Sequence, residues 1–403
     1  MSKRRKPVKP STKTRDGTSL KDQWSRRVVS VLLGILFTVG SVVLFSRVGI
    51  LHKLQTFVVD TTMKLNAPPL LGDVVIVEIT DEDYREIFQE RSPLDPFKLQ
   101  ALLGSISLGK PKVIAVDIDT SAAQFKDLRI DDHWPPIVWE REPKKPPSTT
   151  QELVEPLDVL GGQDPSVNSS SGLPLLIEDS EDKVTRRYRR LVNTTIGPLP
   201  SFPWAIVTKG GNEKTRSLRE SDDEFFIKYS PDPSGTHRVI MTASRVLELT
   251  KQNALAQDNI LAGKVVLLGG TYLGQDLHDT PIGPLSGVEI LAQVVETELQ
   301  GGGDKSPPKL TIFVLEIFEG ILVIILFQLF HVFPFVKALA LNLVIFLIIA
   351  SICSFITFGS FLRLVGFFPL LGLILLFEFL FECRTHIVKD WPKTVREALT
   401  RGT

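Results

Sequence analysis

Four stretches of nearly unbroken hydrophobic residues punctuate the chain: 28–46 near the start, then 317–335, 337–358 and 364–382 close together near the end. Each approaches the ~20 residues an α-helix needs to cross a bilayer. Residues 51–308, between the first and second, have a globular pattern. Four crossings return the chain to its starting side. Both termini are then expected in one compartment and the intervening domain in the other.

Within that domain the pattern switches between two periods. Val74–Thr80 (VVIVEIT), Lys112–Ile118 (KVIAVDI) and Lys264–Gly270 (KVVLLGG) are continuous β-branched or aliphatic runs, the signature of strands buried on both faces. Glu224–Tyr229 reads as a further strand. Phe97–Leu108 has helical spacing through Leu99, Leu102, Leu103 and Ile106. Phe202–Lys209 and Thr242–Thr250 also read as helices. Ser286-Gly287-Val288-Glu289 has capping-box spacing and opens a helix to about Leu299. Strand–helix alternation predicts an α/β domain with a mainly parallel sheet. Leu51–Leu65 reads as a helical stalk leaving the membrane, ended by Pro68-Pro69. His133–Pro174, rich in Pro, Ser, Gly and Asn, reads as a mobile surface loop with short ordered pieces.

Charge sets the orientation. The flank before the first hydrophobic stretch carries Lys3, Arg4, Arg5, Lys6, Lys9, Lys13, Arg15, Lys21, Arg26 and Arg27, and the tail after the last carries Arg384, Lys389, Lys393, Arg396 and Arg401. Short basic flanks stay in the cytoplasm. Residues 1–25 are therefore expected to be a disordered cytoplasmic tail, 383–403 a second cytoplasmic tail, and 51–308 an extracytoplasmic domain of a membrane protein. An uncleaved signal anchor fits residues 28–46 better than a signal peptide, because the apolar core is long and no A-x-A site follows. The balance of 46 basic against 46 acidic residues excludes the overall basicity of a nucleic-acid binder. Basic flanks point instead to membrane lipids. The only cysteines, Cys353 and Cys383, lie in or beside the hydrophobic stretches, so the domain has no disulfide, no zinc spacing and no thiol nucleophile.

Candidate chemistry gathers at the ends of the predicted strands. Asp81 follows the first, Asp117 and Asp119 end the second, and Gly269, Thr271, Asp276, His278 and Asp279 follow the third. In open α/β sheets ligands bind outside the carboxyl ends of the strands, so parallel neighbours would bring these residues to one crevice. The competing reading is turn chemistry, for which Asp and Gly are also chosen. Isolated His278 does not by itself indicate a metal or a general base. No phosphate-loop, dinucleotide-binding or nucleophile-elbow motif is present. The chain is expected to be no enzyme and to need no cofactor or metal. The run Lys183, Arg186, Arg187, Arg189, Arg190 reads as an edge strand whose charges deter pairing. In the membrane segments Glu319 and Arg363 are expected towards the outer surface, His331 and Glu378 towards the inner one, as two charge-complementary pairs.

Taken in order, these pieces resemble the CHASE2 domain family, an extracytoplasmic sensory module of bacterial membrane receptors. The resemblance covers about residues 53–382. It is carried by Asp60, VVIVEIT with Asp81-Glu82, KVIAVDID at 112–119, RRYRRLV at 186–192, LPSFPWAIV at 199–207, FIKYS at 226–230 and the long block 263–299. The stretch Arg91–Pro96 departs from the family's W-P-x-x-R pattern. Family members often end in a kinase or cyclase domain; here only residues 383–403 follow the last predicted helix. The resemblance implies a sensor that signals through an unknown partner such as a kinase or cyclase, or through a homo-oligomer. A scaffold without a ligand is the alternative, and an envelope hydrolase a weaker one.

Overall fold

The computed structural model describes residues 56–305, apart from 58, 62, 65, 66, 146–151, 164–167, 231–237, 258, 259 and 275. Its centre is a six-stranded sheet in the order β10-β1-β11-β2-β3-β4. The strands are β1 (Val74–Ile79), β2 (Val113–Asp117), β3 (Ile137–Glu140), β4 (Ser169–Gly172), β10 (Val239–Thr242) and β11 (Val265–Gly270), and every pairing is parallel. Parallel strands need crossovers, and crossover helices cover both faces. That double burial is why β1, β2 and β11 read as continuous apolar runs.

Helices form where the apolar spacing and caps allow. α1 (Asp81–Glu86) starts with a capping box between Thr80 and Asp83. α2 (Pro96–Leu108) has Asp95 as N-cap, its Oδ1 accepting from the Phe97 amide at 2.9 Å, with Pro at the first turn where no donor is needed. Leu99, Leu102, Leu103 and Ile106 of α2 are fully buried. They pack with α4 (Ala243–Lys251) against Val75, Val77, Ile114, Val116, Val266 and Leu268 on one face of the sheet. α3 (Phe202–Gly210) and α5 (Gly287–Leu299) pack on the other face, against Val74, Ile76, Val113, Ala115, Val265 and Leu267.

A second, antiparallel sheet of β5 (Leu176–Glu178), β6 (Thr185–Arg189) and β9 (Glu224–Phe226) covers the far side of α5. Ile290 and Val294 of α5 pack there on Tyr188 and Phe225. α5 is thus enclosed by two sheets, which explains why Gln293, Thr297 and Glu298 are buried with it. Each has a partner: Gln293 exchanges hydrogen bonds with the Ser230 backbone, Thr297 Oγ1 accepts from the Lys228 amide, and Glu298 binds Arg190. Two hairpins complete the fold, β7–β8 (Leu191–Thr194, Gly197–Pro200) and β12–β13 (Leu277–Thr280, Gly283–Ser286).

Two expectations need correction. The segment 133–174 is not a surface loop, because its described parts include β3 and β4 of the main sheet. Its Pro and Gly residues flank two short strands, and Trp139 at the centre of β3 is fully buried. The basic run is not an edge strand either. β6 lies between β5 and β9, and Arg186 and Arg190 are 2% and 5% exposed. Their charges are neutralised internally, as shown below. The hydrophobic stretches 28–46, 317–335, 337–358 and 364–382 lie outside the described residues. Among the described residues no helix is long and apolar enough to cross a membrane.

Candidate functional site

The carboxyl ends of the central strands carry a row of acids on the face covered by α3 and α5. Glu78 pairs in register with Gly269, and Gly269 with Asp117. One step beyond the Val116–Trp139 pair, Asp117 meets Glu140, and Glu140 is opposite Gly172. Side chains alternate along a strand, so these residues share the face of Val74, Ala115, Val138 and Leu267. The two glycines in the row admit the helices. A Cβ on Gly269 would lie 2.7 Å from Val288 Cγ2 and 3.1 Å from Asp117 Oδ2, and one on Gly172 would lie 2.7 Å from Phe202 Cα. The N-termini of α5 and α3 therefore abut the row, where their partial positive charge favours carboxylates.

Burial raises the pKa of the acids in the row. Glu140 is 6% exposed and hydrogen-bonded to both Asp117 and Glu142. Two carboxyl groups in such contact share a proton between them, because both cannot be ionised. Burial is the main reason that Glu140 titrates well above the ordinary carboxylate range, with the charges of Asp117 and Glu142 adding to it. Asp117 is pushed up to about 7, first by burial and then by Asp276 and Glu142, against the opposing hydrogen bond with Glu140. Glu142 is also raised, chiefly by burial. Glu78 is raised by burial, opposed by the hydroxyl of Thr271 at 3.4 Å. Asp117, pushed up to about 7, can take up and release a proton over a mild pH range.

The residues expected at this edge divide into groups. Asp117, Gly269 and Thr271 are at or beside the row. Asp276 lies close enough for its charge to raise Asp117 and Glu142, and Asp119 acts likewise on Glu142. Asp119 also closes a turn by accepting from the Ser121 amide at 2.8 Å. Asp81 is a turn cap: its Oδ1 accepts from the amide of Leu273, whose φ is +63°. Asp279 alternates away from His278 in β12, is exposed and does not join the row. His278 lies between two carboxylates, with Nε2 3.0 Å from Asp276 Oδ1 and Nδ1 3.3 Å from Glu178 Oε1. Those contacts, the one to Asp276 foremost, raise its pKa. Among the described residues no group of three or more His, Cys, Asp or Glu is placed to hold a metal ion. Glu319, His331, Arg363 and Glu378 lie outside the described residues.

Glu140 and Glu142 escaped sequence reasoning because the stretch around β3 reads as loop. The four-residue strand IVWE between Pro136 and Pro143 was the available signal. Asp83, which directly follows the first strand with Asp81 and Glu82, is 1% exposed; it closes the capping box of α1 and also accepts from the Ala243 and Ser244 amides at the start of α4.

A second polar cluster sits on β6. Arg186 is bound by Asp60, Asp179 and Asp182: Nε to Asp60 Oδ1 is 2.7 Å, Nη1 to Asp179 Oδ2 is 2.6 Å and Nη2 to Asp182 Oδ2 is 2.8 Å. Arg190 grips both oxygens of Glu298, at 2.9 and 3.0 Å, and donates to the Arg219 carbonyl. Its guanidinium also faces the rings of Trp204 and Phe225. Arg187 pairs with Asp179 and Glu224, and Arg189 with Glu224. These charges hold structure together rather than leaving an open anion site.

The CHASE2 domain matches this chain over residues 31–332. No curated protein and no solved structure matches it.

Proposed function

The chain belongs to the CHASE2 domain family, and from that premise we propose that it is a multi-pass membrane sensor that signals through other proteins. CHASE2 domains are extracytoplasmic sensory modules. The carrying observation is that both ends of the domain are fastened to one small sheet. The incoming segment is helical at 59–61 and holds β6 through Asp60 and Arg186. The outgoing segment adds to β9: Phe226 donates to the Asp304 carbonyl at 2.8 Å, Phe225 bridges to Lys305, and Lys305 pairs with Asp223. A shift of that sheet against α5 moves both segments together. The stimulus is read at the acidic edge of the large sheet, whose row abuts the start of α5, while Arg190 and Glu298 tie the far end of α5 to β6. A stimulus acts only by favouring one arrangement of these parts over another.

In this reading both termini are cytoplasmic, residues 28–46 and the three later stretches cross a bacterial plasma membrane, and lipids surround them. The readout passes to a kinase, a cyclase or a second copy of the chain. No nucleic acid, cofactor or catalysis is involved. The test is purification of the full chain from its own membrane in mild detergent, with mass spectrometry of stoichiometric companions, for the natural protein and for Asp60→Asn. A sensor is expected to carry a signalling partner whose retention or output changes in the variant. A companion held identically by both proteins, with no change in output, would instead make the domain a scaffold.

A further inference from the structure

His278 presents both ring nitrogens to carboxylates from different parts of the fold. Asp276 precedes β12, and its carbonyl accepts from the Gly287 amide at 3.0 Å, where α5 begins. Its carboxylate occupies the space a side chain at Gly287 would need. Glu178 ends β5 in the small sheet. A neutral imidazole carries one N–H, so it can donate to one of these acids while its lone pair faces the other. Only the imidazolium donates to both.

We propose that His278 is a proton-operated latch, joining the β12–β13 hairpin at the edge of the large sheet to the small sheet that holds the incoming and outgoing segments. The consequence for signalling rests on the sensor reading above; the latch does not.

The surrounding charges leave the latch to these three groups. On β6, Arg186, Arg187 and Arg189 are committed to Asp60, Asp179, Asp182 and Glu224. Asp179, next to Glu178, is held by Arg186 and Arg187. On α5, Glu289 is engaged with Ser286 in the capping box. Asp279 on β12 alternates to the other side and is exposed. From the large sheet, Asp117 and Glu142 feel the charge of Asp276. The folded-state pKa of His278 is raised. Its contribution is therefore complete below the unfolded value of 6.5 and is lost as pH rises through the higher folded value. Acidity closes the latch and alkalinity opens it.

The experiment is hydrogen–deuterium exchange by mass spectrometry on the full chain in lipid nanodiscs, from pH 5.5 to 8.5, corrected for intrinsic exchange. In the natural protein, peptides covering 173–180 and 276–286 should lose protection together as pH rises, by about three- to fivefold for a half-exposed ion pair. His278→Gln should show no such step and should match the high-pH state throughout. Should that variant not fold, Glu178→Gln reads the same point. It leaves His278 only Asp276, so the step should vanish from 173–180. A natural protein without the step, or the same step in either variant, overturns the latch. A step confined to these peptides, with none in peptides covering 56–64 or 300–305, leaves the latch standing and defeats the relay to the segments.

Discussion

Arg190, directly after β6, and Glu298 in the last turn of α5 form a two-point ion pair, with side chains only 6% and 0% exposed. The Tyr188 hydroxyl also donates to the same Glu298 oxygen. This contact adds a charged tie to the apolar packing that holds the small sheet on the helix lining the acidic row.

Removing one partner leaves the other charge buried. Arg190→Met or Glu298→Gln is expected to cost about 3–5 kcal/mol, and the double replacement less than the sum. Thermal unfolding of the purified full chain checks this. Single variants as stable as the natural protein would mean the pair is not enclosed.

Asp117→Asn should make stability less dependent on pH. The folded pKa of about 7 lies above the unfolded value of 3.8, so the natural protein loses stability as pH rises through that window. The variant has no proton to lose there. At roughly 1.4 kcal/mol per pKa unit the full shift from 3.8 to about 7 sets a ceiling of about 4.5 kcal/mol; coupling to Glu140 and partial exposure bring the expected gain above pH 7 to about 1–2 kcal/mol. Denaturant titrations at pH 5 and pH 8 measure it. A variant less stable at pH 8 would show that the carboxylate is a structural cap.

Gly269→Ala should push α5 off the sheet. The added methyl has no room between Val288 and the Asp117 carboxylate. Overpacking of this kind costs about 1–3 kcal/mol. The accompanying sign is a changed pH dependence, since Asp117 would be displaced as well. An unchanged melting temperature and pH profile would contradict the close approach.

Asp60→Asn and Arg186→Met should differ in severity. The first leaves Arg186 two acids, Asp179 and Asp182, and should cost about 1 kcal/mol while freeing the incoming helix. The second takes the shared cation from Asp60 and Asp182 and leaves Asp179 only Arg187, and should cost about 3 kcal/mol or more. Limited proteolysis at 56–66 separates the effects. Equal stability loss, without new cleavage in Asp60→Asn, would mean the incoming segment is not held by this bridge.

Much of the large sheet was legible in the chain. β1, β2 and β11 announced themselves because strands covered on both faces admit few polar residues. α2, α3, α4 and α5 followed from spacing and caps, and the box Ser286–Glu289 formed as read. β3 and β4 did not, because four-residue strands set among Pro and Gly leave no period to detect. Asp81, Asp119 and Asp279 looked equivalent to Asp117 on position alone. Whether an acid caps a turn, stays exposed or joins a buried row depends on which face its backbone turns inward.

The sequence by itself determined the α/β class, the parallel arrangement and the family, since each rests on local periodicity or on an ordered set of motifs along the chain. Only the tertiary structure decided which acids meet in the buried row, that Arg186 and Arg190 are buried and paired, and that His278 lies between two carboxylates. Those relations join residues as far apart as Asp60 and Arg186 or Arg190 and Glu298. Their partners are chosen by strand order and by the enclosure of α5 between two sheets. Burial then sets the strength of each charge, a quantity that no local stretch of sequence carries.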